Sequence, residues 1–165
     1  MCSSDLVAAW DRRNGLRIWE LSTGKLTVDF QADSNSVWED AALNPDFNRF
    51  LIAVRGSGVT VINLDRERPI GGLAGQGNSI VQQLEISPDG TLIAVAGQQG
   101  EVSLYEMKSR QPLQKFTSGL ASVRVLRFSE SGKFLVGGGV GGVFVRNVKD
   151  QELTRAEATF PGGGR

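Results

Sequence analysis

Histidine is absent from the 165-residue sequence, and cysteine occurs once. Without histidine the chain holds no Ser-His-Asp or Cys-His nucleophile, no imidazole base and no histidine-bearing zinc site. A single cysteine forms no internal disulfide and no thiolate cage, so the fold must rest on its apolar core; the redox compartment stays open. Charge of one sign is also missing: 18 Lys and Arg balance 18 Asp and Glu. The basic residues are scattered, which gives no electrostatic footprint for nucleic acid or an anionic membrane. Apolar runs such as Leu92 to Ala96 are strand-length, far short of the roughly 20 residues of a membrane helix. What is plentiful is glycine, 21 of 165, nearly twice the average usage of about 7%. With ordinary charge content, that points to a turn-dense folded chain rather than disorder.

The leading Met1 to Leu6 (MCSSDL) resembles what a common sequencing-adapter end encodes if its GTG is read as a start codon. It is set aside as read-through at the edge of a DNA read, with a short natural N-terminus as the alternative. On that expectation the protein continues upstream, and neither Cys2 nor the missing signal peptide carries information.

The chain repeats about every 43 residues. LRIWEL (Leu16 to Leu21), VTVINL (Val59 to Leu64), VSLYEM (Val102 to Met107) and VFVRNV (Val143 to Val148) start 43, 43 and 41 residues apart. Asn44-Pro45-Asp46-Phe47, Ser87-Pro88-Asp89-Gly90 and Ser129-Glu130-Ser131-Gly132 keep the same register, as do the closing apolar residues Phe30, Leu73, Phe116 and Phe160. Three markers in one register define a structural repeat.

Each unit reads as four short strands. The first is half-alternating (Ser79 to Ile86, Ser122 to Phe128) and ends in a Pro-Asp-Gly type of turn, in which Pro fixes φ and Gly supplies a positive φ. The second is apolar throughout (Phe50 to Val54, Leu92 to Ala96, Phe134 to Val136), as a strand covered on both faces must be. A glycine-bearing turn (Asn14-Gly15, Ser57-Gly58, Gln99-Gly100, Gly141-Gly142), the third strand, a polar turn and a short fourth strand follow. No stretch has helical periodicity, so the chain is all-β. The spacing from the opening serine to the turn is one residue longer in Ser36–Asn44 and Ser79–Ser87 than in Ser122–Ser129, which predicts a bulge in the two longer strands.

Four-stranded antiparallel units of this length are the signature of β-propeller blades. The residues resemble the WD40 repeat family through Ile18-Trp19-Glu20-Leu21 with Ser22-Thr23-Gly24-Lys25, through Ser36-Val37-Trp38, and through Ser87-Pro88-Asp89-Gly90. The resemblance covers residues 7 to 160 and implies a divergent member. The family ties a Gly-His histidine, a Ser or Thr, a turn Asp and a Trp into a buried tetrad. Here there is no His, the Trp position reads Trp19, Ile62, Tyr105 and Arg146, and only Asp11 matches the turn Asp. The tetrad cannot form, and Val, Ile, Leu and Phe packing must replace it.

The units divide the chain into a partial blade at 7–30, blades at 31–73, 74–116 and 117–160, and a Gly-rich tail at 161–165. The first unit starts at its second strand (Leu6 to Trp10), giving about three and two-thirds blades. This predicts an incomplete arc, N-terminally truncated, whose end faces need missing upstream blades or self-association to cover them.

Gly137-Gly138-Gly139-Val140-Gly141-Gly142 satisfies GxGxxG, but a dinucleotide site needs a helix to follow. Val143 to Val148 reads as a strand, so the stretch is taken as a glycine-rich turn between strands. Gly132-Lys133 lacks the upstream Gly and the following Ser or Thr of a P-loop. No cofactor, metal or catalytic constellation is indicated. Glu39-Asp40 reads as a solvated or rim pair, since neighbouring strand residues point to opposite faces. Arg12-Arg13, Arg66 and Arg68 read as turn charges and Trp19 as core.

The resemblance places binding surfaces at the loops entering the first strand and those joining the second to the third. Carried onto this sequence, these are Ser34 to Trp38, Gly77 to Val81 and Leu120 to Arg124, with Asp11 to Asn14, Arg55 to Ser57, Gly97 to Gln99 and Gly138 to Gly141. The candidate protein-binding residues are Trp38, Arg12, Arg13, Arg55, Gln98 and Arg124. Trp38 and Arg124 are common interface anchors, and for Trp38 packing between blades is equally open. The expected function is a non-catalytic interaction or scaffolding module within a larger bacterial protein, binding protein partners rather than nucleic acid or membrane. The alternative is a propeller enzyme or ligand sensor, periplasmic in one version, whose active residues lie in missing blades.

Overall fold

The computed structural model describes residues 6–11, 15–31, 37–46, 48–66, 68–75, 80–150 and 152–156. The set-aside residues 1–5, the loop residues Arg12 to Asn14, Ser34 to Ser36 and Gly77 to Ser79, the closing Phe160 and the tail 161–165 lie outside them. Among the described residues there are strands and no helix.

The strands form four antiparallel meanders. The first sheet has three strands, β1 (Leu6–Asp11), β2 (Gly15–Glu20) and β3 (Leu26–Phe30). The second has β4 (Trp38–Leu43), β5 (Arg49–Val54), β6 (Gly58–Asn63) and β7 (Arg68–Gly72). The third has β8 (Val81–Ile86), β9 (Leu92–Gly97), β10 (Glu101–Glu106) and β11 (Pro112–Thr117). The fourth has β12 (Ser122–Phe128), β13 (Phe134–Val140), β14 (Gly142–Asn147) and β15 (Leu153–Ala156). β8 packs against β4 on one side and β12 on the other, so the first strands line the inside of an arc. This is a partial β-propeller, and among the described residues its first sheet has three strands.

The turns hold for the chemical reasons written in their residues. In Ser87-Pro88-Asp89-Gly90, Ser87 Oγ donates to Asp89 Oδ1 at 2.6 Å, and the Thr91 amide donates to the same oxygen at 3.0 Å. Gly90 takes φ 71°, which a Cβ would penalise. The fourth sheet rebuilds this with serines: the Phe134 amide donates to Ser129 Oγ at 3.1 Å, as the Leu92 amide does to Ser87 Oγ at 2.9 Å.

Between sheets the packing is apolar. Leu16 and Ile18 of the first sheet meet Trp38, Phe50, Ile52, Ile62 and Leu64 of the second. β9 shows why its run is apolar throughout: Ile93 and Val95 join the core shared with the second sheet, while Ala94 and Ala96 join the core shared with the fourth. Arg146, at the family's Trp position, is buried with its guanidinium 4.0 Å from the Phe116 ring centroid, and its Nη2 donates to Gln114 Oε1 at 3.2 Å. Burial without a carboxylate lowers its pKa.

Three sequence expectations need correction. Gly137 to Gly139 lie inside β13, paired with Phe144, Val143 and Gly142, and only Gly141 is a turn residue; glycine is needed at 137 because the Phe144 ring occupies the space a side chain would take. The bulge expected in β4 and β8 also occurs in β12: pairing skips Glu39, Gln82 and Arg124 in turn. Val81 and Val123 are therefore equivalent, Ser79 aligns with Ala121 rather than Ser122, and the missing residue falls ahead of β12. Trp19, expected in the core, is only partly buried, since none of the described sheets covers its side of the first sheet.

Candidate interaction rim

The bulges position the candidate site. A bulged residue leaves the strand's alternation and is aimed away from the ladder, and here three bulges recur at one height on three adjacent inner strands. Glu39, Gln82 and Arg124 consequently line one open groove of about 480 Å³, together with Ile80, Gln83 and Ser122.

The neighbouring loops fix its walls. The Arg55 amide donates to the Val37 carbonyl at 3.0 Å, and the Arg55 Nε donates to Glu39 Oε1. That carboxylate raises the Arg55 pKa, holding its exposed guanidinium protonated. Gln98, also exposed, bridges to Ser122 across the third and fourth sheets. Arg124 is exposed on β12.

Below the groove the inner strands are tied across sheets. Asp40 Oδ2 accepts from the Leu84 amide at 2.7 Å and its Oδ1 accepts from the Ala41 amide at 2.9 Å. Arg127 Nη1 donates to Glu85 Oε2 at 2.8 Å. Burial raises the pKa of Asp40, against the pull of those two amides. Burial likewise raises that of Glu85, against the neighbouring Arg127. Glu39 and Asp40 thus diverge, one to the rim and one to the next strand, and form no acid pair. Among the described residues no three His, Cys, Asp or Glu side chains gather as a metal site.

Of the six sequence candidates, the structure brings Arg124 and the Arg55–Glu39 pair to the groove region and sets Gln98 beside Ser122. Arg12 and Arg13 lie outside the described residues. Trp38 does not reach the surface: it is 1% exposed, with the rings of Phe50, Trp10 and Phe30 at 5.6, 6.3 and 6.4 Å. Packing, not binding, is its role, because its position precedes the bulge and faces the first sheet. Gln82 and Gln83 were missed as groove residues, whereas Ser122 falls in the Leu120 to Arg124 stretch expected to bind. The extra residue in the Ser79–Ser87 spacing was the available signal for Gln82, and Gln83 carried none.

Comparison with known proteins agrees with this geometry. The family model described as the anaphase-promoting complex subunit 4 WD40 domain matches residues 50–131, from the second sheet into the fourth. The chain is 29% identical over 149 residues to the U3 small nucleolar RNA-associated protein 18 homolog of Arabidopsis thaliana, a match covering 87% of this chain and 27% of that protein. It is 30% identical over 132 residues to the WD repeat-containing protein SL1-17 of Schistosoma mansoni, covering 79% of this chain and 42% of that protein. The chain therefore spans less than half the length of either relative. Repeat period, four-stranded sheets packed face to face around an inner row of strands, and these matches agree: the chain belongs to the WD40 repeat family.

Proposed function

We propose that the chain is a non-catalytic interaction module of a longer protein and that it binds a polypeptide partner along the rim where its inner strands begin. WD40 repeat domains generally serve as protein-interaction platforms. The observation that carries the reading here is the convergence of Glu39, Gln82 and Arg124 on one groove. An exposed guanidinium, two glutamine amides and the Ser122 hydroxyl offer donors and acceptors to an extended chain, and Ile80, 47% exposed, adds an apolar contact. The Arabidopsis relative is named for an RNA association. In this chain the groove is lined by the carboxylate of Glu39 as well as by Arg124, a mixed-charge surface that suits a peptide better than a phosphate backbone.

Panning a random peptide library on the immobilised full chain tests this. Enriched peptides should lose at least about 10-fold in affinity on Arg124→Glu, the scale of an interface anchor, and should be indifferent to Lys133→Glu at the opposite end of β12. No enrichment, or enrichment insensitive to Arg124→Glu, refutes the rim as the binding surface.

A further inference from the structure

Around the groove the charged side chains are already held, with one exception. Glu39 is paired with Arg55, and Glu85 with Arg127 at 2.8 Å. Asp40 accepts from the Leu84 and Ala41 amides. Arg124 lines the groove from β12 and is exposed, and among the described residues no carboxylate pairs with it. The three bulged residues therefore read, from β4 through β8 to β12, as a neutralised acid, an amide and an unpaired cation.

The middle of the groove is short of a donor. Gln82 Oε1 is buried and accepts no hydrogen bond among the described residues. The adjacent side-chain amide does not serve it, because Gln83 Nε2 donates to the Gln82 backbone carbonyl at 2.7 Å. A buried acceptor without a donor is destabilising, and an incoming N–H relieves it. Ile80, at the entry to β8, adds an exposed apolar side chain to the same groove. The groove is built from the second, third and fourth sheets, with β8 packed between β4 and β12.

We propose that the partner of this groove is an acidic extended segment, which rests on the reading of the rim as a polypeptide-binding surface. An aspartate or glutamate of the segment pairs with Arg124, a backbone N–H donates to the Gln82 side chain, and an apolar residue rests on Ile80. The planar guanidinium takes a carboxylate through two parallel N–H···O bonds, which gives direction as well as affinity. A basic segment finds no such partner, since the groove carboxylate of Glu39 is engaged by Arg55. Recognition is then one short-range ion pair rather than a broad positive field, in keeping with a chain whose 18 basic and 18 acidic residues balance.

Panning one random peptide library in parallel on the immobilised wild-type chain and on Arg124→Glu tests this, with circular dichroism to monitor folding. Wild type should enrich peptides that carry Asp or Glu, and Arg124→Glu should enrich Lys or Arg instead. For a peptide selected on wild type and followed by fluorescence anisotropy, replacing its acidic residue with the amide should weaken binding about 10-fold or more. Arg124→Gln should weaken the acidic peptide as much and leave the amide peptide unaffected, the coupling expected of a direct pair. Gln82→Leu removes the orphaned acceptor and should weaken both peptides about 5-fold; unchanged affinity overturns the backbone contact. Neutral or basic enriched peptides that still respond to Arg124→Glu leave the rim as the binding surface and overturn the acidic partner. No enrichment on wild type, or peptides indifferent to every Arg124 variant, overturns the rim itself.

Discussion

Gly139 and Gly97 occupy the same position of the repeat, opposite the residue that precedes the bulge, and they differ only in the room around them. Gly139 pairs with Val123 and Gly97 with Val81. Neither has a positive φ, so backbone strain does not enter. A Cβ on Gly139 would overlap the Ser122 carbonyl oxygen and lie 2.9 Å from its carbon and 3.2 Å from the Arg124 amide nitrogen, all backbone atoms that cannot rotate away. On Gly97 the nearest atom is the Ile80 carbonyl oxygen at an ordinary 3.5 Å. Either Gly→Ala change restricts the unfolded chain and so gains about 0.4–1 kcal/mol. Gly139→Ala must also part the ends of β12 and β13, giving up about two ladder hydrogen bonds at roughly 1 kcal/mol each and leaving their groups underpaired. Gly97→Ala should therefore be neutral or slightly stabilising, while Gly139→Ala should cost about 1–3 kcal/mol net. Urea unfolding of both full-length variants, followed by far-ultraviolet circular dichroism, reads the difference as a separation of midpoints. Equal midpoints would refute the reasoning. Val54 fills the same position in the second sheet, opposite Trp38, so the position admits a side chain where the bulge stands off.

Trp38→Ala should destabilise the chain by about 3–5 kcal/mol, as expected for a fully buried aromatic, and Trp38→Phe by clearly less; an unchanged urea midpoint for Trp38→Ala would return the residue to the binding surface. Asp89 makes a pH prediction. Its bonds from Ser87 and Thr91 lower its pKa. The unfolded chain therefore takes up the proton first, and the stabilisation is full above the ordinary carboxylate range and lost as pH falls through the depressed value. Asp89→Asn should be less stable than wild type at pH 7, and the gap should close in acid; a gap that persists there points to shape rather than charge.

The period and the four-strand order were legible in the sequence because they rest on spacing and apolar patterning. A run such as Ile93-Ala94-Val95-Ala96 can be apolar only if both faces are covered. The bulges were half legible. A count anchored on the opening serines located two, while the third was hidden because Ala121, not Ser122, is the true equivalent of Ser79. Site residues were harder to read: one position of register decides whether Trp38 faces the neighbouring sheet or the rim, and residue type does not carry that information. Glu39 is tied to Arg55 only because the bulge turns it outward.

The loss of the family's buried tetrad has a structural consequence. At the Trp position, Ile62 and Tyr105 are packed into the cores between sheets, and Arg146 lies over Phe116. Besides the buried Arg146–Gln114 bond, polar ties between sheets run along the inner and outer strands. Asp40 accepts from the Leu84 amide and Glu85 pairs with Arg127 on the inner strands, while Arg110 donates to the Ile70 carbonyl and Arg155 to the Thr117 carbonyl on the outer ones. A buried network specifies its partner by hydrogen-bond geometry, whereas an apolar face requires only volume and register. Between these sheets apolar register sets the packing, and single bonds such as Asp40 to the Leu84 amide and Arg127 to Glu85 fix the alignment of neighbours.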